Sequence, residues 1–291
     1  MLRYKADLRS LTFMFVTAAM LVLLWQYGSE MSRPLWIFCY VIQLLMAVIV
    51  STIVHNHQHL AMWTVKWLNV FTDNFLTVFY GFPVFAWIPT HNSNHHVHIN
   101  KEPDYTKTYM ASEKNNLITL LTYPSLSGFK QQKAVGTYFT GLYKENRRKF
   151  YFHLLQVVSL VLWIGVALLI DWKKALLYVV IPQQVSLFTV LIFNYIQHIH
   201  ADEESDFNHS RNMTGKLLNF FLLNNGLHTA HHISPGIHWS RLREKHDQIA
   251  PKIDPRLNEE NFAWYLFRVY ILGLFIPSCR TDNMRMERMG N

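Results

Sequence analysis

The stretch LWIFCYVIQLLMAVIVSTIVHNHQH, Leu35–His59, decides how the chain is read. Its first twenty residues, Leu35–Val54, carry no charge. About 20 such residues cross a bilayer as a helix. The run then gives way to His55-Asn56-His57-Gln58-His59. Ionisable residues where a membrane helix ends are costly unless they have a task.

Working outward, Arg3, Lys5 and Arg9 precede a second uncharged run, Leu11–Tyr27. A basic-then-apolar start also describes a signal peptide, but no small-residue cleavage site follows. The next residues are Gly28 to Pro34, and Leu35–Val54 begins at once. The two runs read as a transmembrane hairpin. Downstream, Leu60–Trp87 is apolar but broken by Lys66, Asp73, Gly81 and Pro83, the pattern of interfacial or partly buried helices. Residues 97–153 are polar, basic and turn-rich. Leu154–Ile170 and Ala175–Gln197 are again uncharged, joined by Asp171-Trp172-Lys173-Lys174 into a second hairpin. Pro182 predicts a kink in the last run. Phe262–Pro277 is apolar but holds Arg268, and reads as a helix on the cytosolic part or membrane surface rather than a fifth span.

The expected fold is an all-α membrane protein in a single domain, residues 1–291. It has two transmembrane helical hairpins, with four spans at about 11–27, 35–54, 154–170 and 175–197. A cytoplasmic helical cap, about 55–153 and 198–291, carries the histidine cluster. The orientation follows from Lys/Arg asymmetry. Connectors hold only Arg33 and Lys173-Lys174, whereas the N-terminus and the stretch with Lys144, Arg147, Arg148 and Lys149 are basic. Both termini and the histidines are therefore expected in the cytoplasm, at a bacterial inner membrane or the endoplasmic reticulum.

Composition agrees with lipid contact: charged residues are 16% and aromatics 15% of 291. The net charge of +8 suits an anionic membrane surface, and the apolar runs favour that over nucleic acid. Two cysteines, Cys39 and Cys279, argue against a disulfide framework and against cysteine-held iron–sulfur or zinc.

Sixteen histidines remain to be explained, and most fall in four clusters. These are His55-x-His57-x-His59, His91-x3-His95-His96-x-His98, Asn194-x3-His198-x-His200, and His228-x2-His231-His232. Residues three and four apart share a helical face. His55 can thus pair with His59, His91 with His95, and His228 with His231 and His232. Asn194 and His198 share a face of the last span. Adjacent histidines diverge by about 100° on a helix, so one element can serve two ions. Neutral imidazole suits iron, zinc and copper. Nine imidazoles, His55, His59, His91, His95, His96, His198, His228, His231 and His232, exceed the four ligands of one tetrahedral zinc and suit two metals, each with an open position. His57, His98, His200 and His238 read as supporting or surface residues, with His98 also a weak ligand candidate. His153, His209 and His246 read as isolated core or surface histidines.

The spacings His55-x3-His59, His91-x3-His95-His96 and His228-x2-His231-His232 resemble the three histidine boxes of membrane fatty acid desaturases, in that family's order around the hairpins. Asn194-x3-His198 resembles the extra element of stearoyl-CoA desaturases, and His231-His232-Ile-Ser-Pro235 the pattern at their third box. The resemblance spans roughly residues 35–245. The longer second-box spacing and the additional histidines depart from the commonest pattern. The resemblance implies two iron ions held by the nine histidines, with Asn194 reaching iron through water, and O2 as co-substrate. It implies removal of hydrogen from an unactivated C–H pair of a fatty acid, acyl-lipid or acyl-thioester. The same cage would serve hydroxylation, or oxidative decarboxylation of a free fatty acid to a terminal alkene. A membrane metal transporter or receptor is the non-enzyme reading, disfavoured because transporters place ligands near the bilayer midplane. A zinc hydrolase of the same topology is a further alternative.

Electrons must come from outside the chain. Two cysteines cannot supply the four thiolates of a typical iron–sulfur cluster, and no His-Pro-Gly-Gly of a fused cytochrome b5 is present. A separate ferredoxin, rubredoxin or cytochrome b5 is expected, docking on the basic surface. Lys101, Lys107, Lys130 and Lys133 are alternatively expected to meet an acyl headgroup, Phe75–Trp87 to line an acyl tunnel, and Trp239 and Arg241 its entrance. Glu102, Asp104, Asp202, Glu203, Glu204 and Asp206 are candidates to orient the ligating imidazoles.

Overall fold

Pro34, in the first turn after extended Ser32, has φ fixed for helix and no N–H to waste, and starts the apolar helix. In the computed structural model, which describes residues 1–290, that helix runs unbroken through the first histidine cluster to His59. In chain order the helices are α1 (Asp7–Tyr27), α2 (Arg33–His59), α3 (Lys66–Tyr80), α4 (His96–His98), α5 (Leu117–Glu145), α6 (Arg147–Ala175), α7 (Ile181–His198), α8 (Lys216–Phe221), α9 (His228–Ile233), α10 (Leu242–Ile249), α11 (Phe262–Tyr270) and α12 (Met284–Met289). Wider π turns occupy Ile88–His95 and Leu176–Val180.

Three helical stretches are long and apolar enough to cross a membrane: Asp7–Tyr27, Arg33–His59 and Arg147–His198, as a membrane-embedded protein requires. The third is 52 residues long. Within it Asp171 leaves helical geometry at φ −157° and ψ 100°, and its carboxylate accepts from the backbone N–H of Lys173 and of Lys174. That is the arrangement of an N-cap. The apolar stretch at 262–274 is too short to be a span.

Two findings concern the residues outside the apolar runs. Residues 97–153, expected to be turn-rich, contain the 29-residue helix α5. Its middle, Lys130-Gln-Gln-Lys133-Ala134, is made of good helix formers. The fold is also not purely α-helical. Asn212–Met213 (β1) pairs in parallel with Asn258–Glu259 (β2). Both β1 residues are buried, and their extended backbone needs internal partners.

The chain divides into two units. Unit 1 comprises residues 1–88 and 135–190, and unit 2 residues 89–134 and 191–291. In unit 1, Leu21, Leu24, Cys39, Ala167, Ala175, Tyr178 and Val179 form an apolar cluster. The π turn before Pro182 has a physical cause. Pro182 has no N–H, so Tyr178 loses its i+4 donor and Leu177 its i+5 donor. Side chains of α2 supply both: Gln43 Nε2 donates to Tyr178 O at 2.7 Å and Tyr40 Oη to Leu177 O at 3.0 Å. The kink predicted at Pro182 is therefore a widened turn with a polar replacement from another helix. Helix α3 ends at Gly81, whose φ of +88° is in the left-handed region. A Cβ there would lie 2.5 Å from Gln183 Cβ.

Unit 2 has its own core of Tyr123, Tyr195, Ile196, Ile199, Met213, Tyr265, Val269 and Tyr270. Arg211 is fully buried in it. Its guanidinium donates to the Ile196 and Ile199 carbonyls and stacks on the Tyr265 ring. A cation is favourable at a helix C-terminus, and this one fixes the end of α7 that carries His198.

Candidate metal centre

Two groups of imidazoles gather within unit 2. His95, His198, His228 and His232 are all buried, and their metal-binding atoms lie within 4.8 Å of one another. His91, His96 and His231 form a second, partly exposed group. In unit 1, His55 and His59 lie on one face of α2, ring centroids 4.8 Å apart, with the Trp87 ring 5.3 Å from His55. The described residues thus bring together all seven unit 2 histidines expected as ligands, and place the other two as neighbours on one helix.

The division between the groups departs from simple α-helical spacing. His91 was expected beside His95, yet its Nε2 lies 3.1 Å from His96 Nε2. The segment Ile88–His95 is a π turn, whose i→i+5 hydrogen bonds break the α-helical repeat. Pro89 near its start lacks a backbone donor, which favours the wider turn. His95 consequently points to the other group. In α9 the pair four apart, His228 and His232, stays together at 3.0 Å, while His231 lies 3.0 Å from His96.

Distances in the buried group fit an ion. The Nε2 atoms of His198, His228 and His232 are 2.9 Å, 3.0 Å and 3.2 Å apart pairwise. A neutral imidazole nitrogen is either a donor or an acceptor. Three of them in a triangle cannot satisfy all three contacts with each other. Nitrogens about 2.1 Å from a shared first-row ion, at angles of about 90° to 110°, lie about 3.0–3.4 Å apart. His95 Nε2 is buried with no hydrogen-bond partner, as a nitrogen kept for a metal would be.

Two of the opposite ring nitrogens are held. His198 Nδ1–H donates to the His209 carbonyl at 3.1 Å. His95 Nδ1–H donates to Asp104 Oδ2 at 2.8 Å, and Thr106 Oγ1 lies 2.9 Å from the same nitrogen. Each bond leaves Nε2 as a lone-pair donor, the tautomer a metal needs. Burial tends to raise the Asp104 carboxyl. His95 beside it and hydrogen bonds from His95 and Thr106 outweigh burial and hold it well below the ordinary value. Burial, followed by the neighbouring His96, His228, His198 and His95, keeps His232 neutral far into acid. His209 is lowered to about 4, first by burial and then by His95.

A polar chain continues outward from Asp104. Tyr123 Oη donates to Thr106 O at 2.6 Å, and Asn194 Nδ2 donates to Tyr123 Oη at 2.7 Å. Asn194, expected to reach a metal through water, thus has its amide N–H group tied to this chain. Helix α9 is anchored by Thr229, whose N–H donates to Asn212 Oδ1 and whose hydroxyl donates to Ser210 O.

The remaining candidates take other partners. Glu102 pairs with Lys107, Glu204 with Lys101, and Asp202 and Glu203 with Arg288. His57 Nδ1 accepts from the Met62 N–H, His200 lies against Thr281 and the Glu113 carbonyl, and His238 Nδ1 accepts from the Ser240 N–H. Trp239 is buried, whereas Arg241 is at the surface beside Glu244. The supporting roles of Thr106, Tyr123 and the His209 carbonyl carry no spacing signal. A backbone oxygen leaves no trace in residue type.

A family model described as fatty acid desaturase matches residues 31–264. No curated protein and no solved structure matches the chain significantly.

Proposed function

We propose, starting from the chain's membership of the fatty acid desaturase family, that it is an O2-dependent di-iron oxidase that desaturates a fatty acyl chain. The observation that carries this reading is the buried four-histidine group, with the Nε2 atoms of His198, His228 and His232 2.9–3.2 Å apart and His95 backed by Asp104. His95, His198, His228 and His232 would hold one ion, and His91, His96 and His231 would serve the other. His55 and His59 are proposed as ligands on the box pattern, with Asn194 supporting through water. Iron with O2 supplies the oxidising power that no side chain has. The protein's part is to fix imidazole tautomers, exclude water and hold an apolar chain in place.

The reading extends to the membrane. At about 1.5 Å per residue, the 52-residue apolar stretch is about 78 Å long, more than twice the ~30 Å core of a bilayer. We take Asp171 as its turn, giving two hairpins and four spans. Helix α2, about 40 Å long by the same rise, carries its histidine end beyond the apolar core. The excess of Lys and Arg before α1 and around Arg147 supports a cytoplasmic position for that end. A separate acidic electron donor completes the cycle.

Feeding labelled fatty acids to cells that express the chain tests the chemistry. An internal alkene is expected. A hydroxy acid or a shortened terminal alkene would replace desaturation by a sister reaction on the same cage. Purified protein should hold about two irons, and one tightly bound zinc would remove the oxidase reading.

A further inference from the structure

The loop between α4 and α5 is built around one carboxylate. Ile99 and Asn100 follow α4 in the left-handed region, at φ 40° and 65°. That conformation is unfavourable for a β-branched residue and persists only where the surroundings enforce it. Here it lets the Asn100 N–H donate to Asp104 Oδ2 at 2.8 Å, while Asn100 Oδ1 accepts from the Thr108 N–H at 2.6 Å. Asn94 Oδ1 accepts from the Tyr105 N–H at 2.8 Å. The N–H and hydroxyl of Thr106 both donate to Asp104 Oδ1, at 2.7 Å and 2.8 Å. Both carboxylate oxygens are therefore occupied, and Asp104 is 2% exposed. Among the described residues its ring partner is His95.

Electrostatics gives the arrangement a consequence. A dication held by four neutral imidazoles in a buried pocket keeps its full charge, which is costly in a medium of low polarity. A buried carboxylate one imidazole away offsets part of that charge and strengthens the lone pair facing the ion. The group of His91, His96 and His231 is more open: His91 and His96 are only partly buried, so water shares the screening. We infer that Asp104 is a positioning residue that makes the His95–His198–His228–His232 position the tighter of two unequal metal positions, filled first and emptied last. This rests on the two-metal reading proposed above.

Anaerobic titration of metal-stripped, detergent-purified protein with Fe(II) tests it, read as bound metal per chain. Wild type should show two classes of uptake. His228→Ala should remove the tight class, and His231→Ala the weak one. Asp104→Asn keeps an acceptor but removes the charge. It should weaken the tight class about 10- to 100-fold, the range for a lost outer partner of a ligating histidine, and leave the weak class unchanged. Glu102→Gln, whose carboxylate pairs with Lys107, should change neither. If Asp104→Asn does not fold, Thr106→Val removes a hydroxyl that contacts both Asp104 and His95 and should weaken the same class. Two equal classes in wild type would overturn the inference, as would an equal effect of Asp104→Asn on both, or none from either variant. Uptake of a single ion by wild type would overturn the two-metal reading itself, and this inference with it.

Discussion

His246 is a buried imidazole that belongs to neither group. Burial first, and Arg243 second, lower its pKa. An unfolded histidine titrates near 6.5, so below about that pH the unfolded chain takes up a proton that folded His246 resists. Its contribution to stability is therefore present above pH ~6.5 and is lost as pH falls towards the depressed folded value. The slope is at most about 1.4 kcal/mol per pH unit. His246→Gln should flatten the decline of melting temperature below pH 6.5, measured by thermal unfolding in detergent. At this scale the sequence was informative about residue types and less so about partners. Nine histidines stand out by spacing, whereas Asp104 is one of six carboxylates near the clusters that the sequence does not tell apart. That His91 joins His96 rather than His95 depends on a π turn, which helical periodicity does not encode.

Among the elements, α3 depends on a single residue at its end. Gly81 combines a φ of +88° with a 2.5 Å approach of its missing Cβ to Gln183. Gln183 Nε2 also donates to Val78 O, so its side chain is not free to retreat. Gly81→Ala adds backbone strain to a steric clash, each worth about 1–3 kcal/mol. It should lower the melting temperature by several degrees, and a smaller residue at 183 should recover part of the loss. Glycine as a stop for Leu60–Trp87 was legible. The element that presses on it, in a distant part of the chain, was not. Likewise Asp171 could be read as a connector, but its role in capping the following helix needed the backbone.

For the whole molecule, the imidazole groups draw on separate stretches of chain, from the end of α7, from α9 and from the π turn at 88–95. An ion bound only by the folded state stabilises it by about 2.7 kcal/mol at a hundred times its dissociation constant. Stripping metal with a chelator should lower the melting temperature and make unit 2 more open to protease, and Fe(II) should restore both. Apolar runs disclosed the membrane class, and the histidine boxes the family. The division into two units, the buried Arg211 beneath α7 and the short β1–β2 pair were hidden, since each depends on partners far apart in sequence.

The turn at Pro182 also has a hereditary consequence. Its two stranded carbonyls are served by Tyr40 and Gln43, and within lipid such groups find no water to replace a lost donor. The three positions are therefore expected to change together, which substitutions at 40, 43 and 182, singly and combined, would test by melting temperature. A lineage that keeps the proline is bound to keep hydrogen-bond donors at 40 and 43. One that regains an ordinary residue at 182 is released to fill both positions with hydrocarbon.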